Sequence, residues 1–480
     1  MTRRVLKAEM LFSSVPFVFV FLPLSLLGFY AAARLRNADV KLLWIAACSL
    51  FFYAYWRLDY LPILLGSVCV NFLVARAIRH KMAAQGQDGA ARGLLVAGIL
   101  FNLGLLGFFK YLGFAVGILN DVTGSFIQPL SIALPLAISF FTFQQIAFLV
   151  DSYKRIARPT RFLNYLVFVT FFPQLIAGPI VHHHEMMPQF KSPSIGILRW
   201  KNLYVGIVIF GIGLFKKLVV ADQLAVYADQ GFADYANLTV LDAWVATLSY
   251  TFQLYFDFSG YTDMAIGAAR MFGIRLPQNF NSPYKSLSVQ DFWRRWHMTL
   301  SRFLRDYVYI PLGGGRRSSA RVSANLFTTF LLGGIWHGAG WTFVIWGAIH
   351  GAVLVAERYL ARLKVRLPNP ARWAITFLIV HCAWVYFRAD SVAQANSILR
   401  TMFGQGASNS GSSHVVIIDS DTAAVAILAA FFVALALPNT NQFVRNLNPQ
   451  WKTVFAGMAF GTACTAMLAT RSDVFLYFNF

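Results

Sequence analysis

The run LFSSVPFVFVFLPLSLLGFYAAA, residues 11–33, contains no charged side chain. A helix needs about 20 predominantly apolar residues to cross the hydrocarbon core of a bilayer. A signal peptide would have a shorter apolar core and a small-residue cleavage site. This run is too long for that, and it reads as a retained first span behind Arg3, Arg4 and Lys7. Working outward, apolar runs recur at about 41–56, 59–76, 93–119, 130–150, 161–181, 203–220 and 240–256. After a long polar interval they resume at about 323–335, 340–356, 371–387, 423–437 and 453–469. The reading is an all-α polytopic membrane protein.

Composition agrees. Of 480 residues, 58% are hydrophobic and only 13% charged, and the mean hydropathy is +0.57. That charged share is about half the usual one for a soluble domain. It excludes a disordered chain, a collagen-like fibre and an ordinary cytosolic enzyme. The formal net charge of +21 would suggest nucleic acid in a soluble protein. Here the basic residues cluster between apolar runs, so they read as topology signals and lipid-headgroup contacts, with no nucleic acid as partner. Two basic loops, Arg76–Arg79–His80–Lys81–Arg92 and Lys154–Arg155–Arg158–Arg161, are expected to be cytoplasmic. Cys48, Cys69, Cys382 and Cys464 each lie in apolar runs and are expected as small buried filler. No internal repeat or separate extramembrane domain is apparent, so 1–480 reads as a single integral-membrane domain. The Gly/Ser-rich stretch 404–413 reads as a flexible loop.

Residues 251–341 carry most of the chemistry. They run TFQLYFDFSGYTDMAIGAARMFG, IRLPQNFNSPYKSLSVQDFWRRWHMTLSRFLRDYVYIPLGGGRR, and on to LLGGIWHGAGW. Asp257, Asp263, Asp291 and His297 sit in apolar surroundings. Such groups at membrane depth usually face a protein interior or a water-filled cavity. Within 291–308, Trp293, Trp296, Leu300, Phe303, Leu304 and Tyr307 fall on one helical face. Asp291, Arg295, Thr299, Arg302 and Asp306 fall on the other, which predicts one amphipathic helix ended by Pro311. Such a helix reads as interfacial, as one wall of an active-site tunnel, or as both, since a re-entrant helix can line a cavity. Residues 291–321 hold seven arginines and two aspartates, a positive field suited to phosphate. The run Gly313–Gly314–Gly315–Arg316–Arg317 reads either as an anion nest with arginine grips or as a tight turn with headgroup contact. It lacks the Lys-Ser/Thr ending of a Walker A loop.

Nine histidines are present. His182, His183 and His184 are adjacent, and consecutive side chains diverge, which argues against a metal site there. His350 and His381 read as packed helix–helix contacts. His337 stands in GGIWHGAGW, between Trp336 and Gly338, where small neighbours allow close approach. An imidazole there either exchanges a proton with a hydroxyl or thiol near neutral pH, or bridges helices by hydrogen bonds. No GxSxG elbow accompanies it. Two non-enzymatic readings remain beside acyl transfer: a transporter of lipid-linked sugar, and a structural subunit of a secretion machine.

Several segments together resemble the membrane-bound O-acyltransferases, within them the bacterial branch that O-acetylates alginate and other exopolysaccharides. They are FSSVPFVFVFLPL (12–24), YAYWRLDYL (53–61), GFFKYLGF (107–114), SFFTFQQIAFLVDSYK (139–154) and FFPQLIAGPI (171–180). They continue with YFDFSGYTDMAIG (255–267), DFWRRWHMTLSRFLRDYVYIPLGG (291–314), LLGGIWHGAGWTFVIWGAIHG (331–351), WVYFRA (384–389) and YFNF (477–480). The resemblance implies a ring of tilted transmembrane helices with re-entrant and interfacial helices around a central tunnel, and 257–351 as the catalytic core segment. It implies His337 as the catalytic histidine and His297 as a second catalytic-site histidine, with Asp291 and Trp336 in support. The candidate donor-binding set is Arg294, Arg295, Arg316, Arg317, Gly313, Gly314 and Gly315. It further implies a multi-pass protein of the bacterial inner membrane, with cytoplasmic acetyl-CoA as donor substrate and no bound cofactor or metal. The implied partners are a periplasmic SGNH-type acetyltransferase and an exopolysaccharide synthesis and secretion complex. The expected acceptor is alginate or cellulose; peptidoglycan and teichoic acid are the alternatives.

Overall fold

A backbone in hydrocarbon must satisfy its own N–H and C=O groups, and a single apolar run does so as a helix. The computed structural model describes residues 10–35, 37–84, 86–128, 132–176, 178–363, 367–405, 419–445 and 450–469. Its regular structure is helical, with no strand among these residues. Among the described residues, six helices are long and apolar enough to cross a membrane: Leu58–Ala83, Asp88–Thr123, Trp200–Ala233, Trp341–Leu363, Asn369–Arg388 and Gln450–Ala469. The chain is an all-α, multi-pass membrane protein. Most of the 404–413 stretch and all of YFNF lie outside the described residues.

Several runs depart from simple spans. The opening run forms Pro16–Ala32, a shorter apolar helix that begins with a π-turn at Pro16. Among the described residues of the 130–150 run, the helix starts at Ile138; it continues to Tyr153, and nearly every side chain in it is buried, including Gln144, Gln145 and Asp151. The 161–181 run breaks at Phe171, between the Phe162–Thr170 and Phe172–Leu175 helices. Pro173 cannot donate a backbone hydrogen bond to the preceding turn, so it suits the start of a new helix rather than the interior of a long one. The cysteines also depart from expectation. Cys69 is exposed and the other three are half-buried, with all four free. Apolar residues of a membrane protein can face lipid as readily as the core, so an apolar run does not imply burial.

The helices gather into two compact units. The main stretches of the first are Met1–Gly211 and Tyr261–Pro277; those of the second are Ile212–Gly260 and Gln278–Ala466. In the first, Asn71 and Asn102 exchange amide hydrogen bonds at 3.2 and 2.6 Å, joining two long helices, and Gln145 donates to Ser67 Oγ at 3.0 Å. The two basic loops meet in this unit: Arg79 donates to Ser152 Oγ and Arg155 to the Met82 carbonyl. The adjacent histidines diverge. His183 is buried with its Nδ1 3.2 Å from Asp151 Oδ2, His184 is exposed, and the His182 N–H donates to Glu185 Oε2 at the start of the His183–Phe190 helix.

In the second unit, a π-turn at Lys216–Ala221 lets the Trp200–Ala233 segment aim Lys217 inward. Its Nζ lies 2.7 Å from Asp222 Oδ1 and 2.8 Å from Asp257 Oδ1, with Lys217 and Asp257 almost fully buried. Asp257, conspicuous in an apolar stretch of sequence, is thus an interior ion-pair partner. Gly260 permits the close contact beside it: a Cβ there would lie 2.7 Å from the Gly213 carbonyl oxygen.

Candidate functional site

The Ser319–His337 and Trp341–Leu360 helices form a hairpin whose backbones nearly touch. Glycine makes this possible. A Cβ on Gly334 would strike the Phe343 carbonyl oxygen and lie 2.8 Å from Gly347 Cα, and one on Gly347 would lie 2.6 Å from the Phe330 carbonyl oxygen. The first helix ends at His337, because Gly338 turns to extended backbone, φ −159° and ψ 153°. His337 is therefore a helix-terminal side chain, and it is 3% exposed. Three rings hold it: Trp336 at 4.9 Å, Trp346 at 5.1 Å and Phe387 at 5.1 Å between centroids, all edge-to-face. Trp341 opens the next helix and is 55% exposed.

His297 is reached by a different route. The single amphipathic helix expected over 291–308 is instead three pieces: Val289–Arg295, Met298–Leu304 and a π-turn at Arg305–Tyr309. The break is His297 itself, in left-handed backbone at φ 42° and ψ 51°. Asn279 sustains this conformation. Its Oδ1 accepts from Thr299 N at 3.2 Å and Thr299 Oγ1 at 2.9 Å, and lies 3.2 Å from His297 Nδ1. The Asn279 carbonyl accepts from Met298 N, and the Arg295 carbonyl accepts from Asn281 N, so the segment 279–281 is stitched into the break. With an amide oxygen opposite, His297 Nδ1 is the protonated nitrogen. The ring is fully buried against Phe258, 4.8 Å away, and burial pushes its pKa down to about 3. His297 is a neutral imidazole at any physiological pH.

Both histidines border one aromatic cluster. Trp346, which packs on His337, stacks on Trp384 at 5.7 Å; Trp384 meets Trp296 at 5.0 Å; and Trp296 immediately precedes His297. Phe292 stacks on Trp296 at 5.5 Å, and Trp293 meets Trp346 at 5.7 Å. The Val289–Arg295 helix that carries these rings is capped twice. Ser288 Oγ accepts from Asp291 N at 3.0 Å, and Glu357 accepts from Val289 N at 2.6 Å and Gln290 N at 3.0 Å. Asp291 faces its own helix and holds Arg295 Nε with both oxygens at 3.0 Å, whereas Arg294 is exposed.

The glycine run forms a tight turn. Gly313 and Gly314 have φ of 114° and 57°, and their N–H groups donate to the Ile310 and Tyr309 carbonyls. Those two amides are spent on the turn, which does not suit them to an anion nest. Arg316 and Arg317 follow it, exposed. Sequence reasoning did not single out Asn279, Trp346, Trp384, Phe387 or Glu357. For Trp346 and Glu357 a signal existed: with His350 and Leu354 they form one stripe at helical spacing.

A buried histidine at a glycine-packed helix end therefore lies within a multi-pass helical protein. Residues 121–388 match the model of the MBOAT, membrane-bound O-acyltransferase family, and the chain belongs to that family. Relatives are similar over between half and nearly all of the chain. A peptidoglycan O-acetyltransferase of Helicobacter pylori is 43% identical, over 98% of each chain. A probable alginate O-acetylase of Pseudomonas aeruginosa is also 43% identical, over 83% of this chain and 75% of its own. A teichoic acid D-alanyltransferase of Bacillus subtilis is 28% identical, over 51% of this chain and 65% of its own. The chain is thus an O-acyltransferase by family, and likeness to peptidoglycan and alginate enzymes is equally strong in identity.

Proposed function

We propose that this protein transfers acetyl groups from cytoplasmic acetyl-CoA for O-acetylation of a polysaccharide outside the bacterial inner membrane, with His337 as its acid–base residue. The observation that carries this reading is His337 itself: a buried imidazole, fixed by three rings at a glycine-packed helix end, within the family-matched region. In the proposed step His337 takes the proton of an attacking hydroxyl, and the oxygen adds to the thioester carbonyl. The C–S bond then breaks, and the leaving thiolate receives the proton from the imidazolium. The products are an acetyl ester and the free thiol, and the histidine is restored. General acid–base assistance of this kind contributes about 10²–10⁴-fold. His297, held neutral, supports the site by position, and Arg316 and Arg317 offer the donor's phosphates an exposed positive pair.

The acceptor hydroxyl belongs to an exported partner, an SGNH-type acetyltransferase working with a polysaccharide synthesis and secretion complex. The sequence resemblance favours an exopolysaccharide, alginate or cellulose. The match to the peptidoglycan enzyme over 98% of both chains favours peptidoglycan as the second reading. Acetyl-ester analysis of purified exopolysaccharide and of purified peptidoglycan, from cells with and without the His337→Ala variant, decides between them. Loss of esters from exopolysaccharide alone supports the first acceptor, and loss from peptidoglycan alone replaces it with the second. Unchanged esters in both would sink the function.

A further inference from the structure

His350 read from the sequence as a packing contact, yet its surroundings are more specific than packing requires. It is fully buried, and Trp293 Nε1–H donates to its Nδ1 at 3.2 Å. That bond makes Nδ1 an acceptor and fixes the ring proton on Nε2. Trp346 lies between two imidazoles: its ring is edge-to-face with His350 at 4.9 Å and with His337 at 5.1 Å. His350 and Trp346 are four residues apart on one helix, so they share a face. Two turns further along that face, Glu357 caps the Val289–Arg295 helix. The Trp341–Leu360 helix therefore grips the helix leading to His297 at two points, Glu357 and His350, and presses Trp346 onto His337.

We propose that His350 is a positioning residue for the acyl transfer. Locked by Trp293, it fixes the Trp346 ring that sets the His337 imidazole, and it ties that imidazole to the segment bearing His297. The inference rests on His337 being the acid–base residue. A reacting group displaced by about 1 Å can lose about 10²-fold in rate, so a side chain that touches no substrate can still govern turnover.

The test uses the full-length protein in proteoliposomes with acetyl-CoA and its acceptor, and compares Trp293→Phe, His350→Gln, His350→Ala and His337→Ala with wild type. Trp293→Phe keeps one aromatic ring but deletes the N–H together with the fused second ring, so the His350→Gln and His350→Ala pair, which leaves Trp293 intact, supplies the cleaner comparison. Trp293→Phe is expected to lower kcat by about 10- to 100-fold, with the KM for acetyl-CoA within about twofold of wild type. His350→Gln retains an acceptor and an N–H donor in one side chain, and is expected to retain more activity than His350→Ala. A purely structural role predicts something else: reduced folded yield with wild-type kcat per folded molecule. Wild-type kcat in Trp293→Phe, or equal kcat in the Gln and Ala variants, with His337→Ala inactive, overturns the inference and leaves the acyl-transfer reading standing. Wild-type activity in His337→Ala overturns that reading first.

Discussion

Gly334→Ala adds one methyl group where the hairpin bearing His337 leaves no room. The new carbon would meet the Phe343 carbonyl oxygen, and would sit 2.8 Å from Gly347 Cα and 3.0 Å from Gly347 N. Non-bonded heavy atoms prefer about 3.5–4 Å, and all three neighbours are backbone, so no rotamer change relieves the contact. The Ser319–His337 and Trp341–Leu360 helices must part by about 1 Å at this level. Overpacking of this kind costs about 1–3 kcal/mol, and a 1 Å displacement of a reacting group costs about 10²-fold in rate. The neighbouring residue supplies the control. A Cβ on Gly333 would meet only the tip of the Leu304 side chain, at 3.2 Å, which can rotate away. Purified Gly334→Ala is expected to lose about 10²-fold in kcat and to unfold at lower temperature. Gly333→Ala is expected to stay within about threefold of wild type, since its only clash is with a flexible side chain. Equal activity and equal thermal unfolding in the two variants would refute the argument that backbone contact at Gly334 sets His337.

Asn279→Ala removes one oxygen that faces three donor groups at the His297 break, so a loss of at least about 2–3 kcal/mol is expected, read as a lower thermal midpoint in detergent. Lys217→Met leaves Asp222 and Asp257 without their shared buried cation, and is expected to cost about 3–5 kcal/mol of folded stability. Adding Asp257→Asn to it should recover part of the folded yield, whereas no recovery would show that the ion cluster is not the cause. Neutralising Arg316 and Arg317 together to glutamine is expected to raise the KM for acetyl-CoA more than it lowers kcat. A fall in membrane stability with unchanged KM would assign the pair to headgroup contact.

The apolar runs were legible because lipid imposes one solution on a long uncharged segment. What they could not reveal is which of their faces meets protein. Cys69 reads like a core residue and lies on an exposed face, while Gln145 and Asp151 interrupt an apolar run and are buried. His337 stood out through its glycine neighbours, whose close approach the hairpin indeed uses. The break at His297 did not. Trp293, Trp296, Leu300 and Phe303 keep helical spacing across it, and the residue that sustains the break, Asn279, lies 18 positions earlier. The same limit hid His350, whose partner Trp293 is 57 residues away. The glycine run reads in sequence as either a nest or a turn, and it is the fold that commits two of its amides to carbonyls.

The proposed function is acetyl transfer from a cytoplasmic thioester to an acceptor on the far side of the membrane, with His337 moving the proton. It is tested most directly in sealed proteoliposomes of uniform orientation, with radiolabelled acetyl-CoA on one side and the purified exported partner on the other. Wild-type protein is expected to label the partner only when donor and partner occupy opposite compartments, and His337→Ala to reduce that labelling by about 10²–10⁴-fold. Labelling confined to acceptors on the donor's own side, or undiminished labelling by His337→Ala, would contradict it.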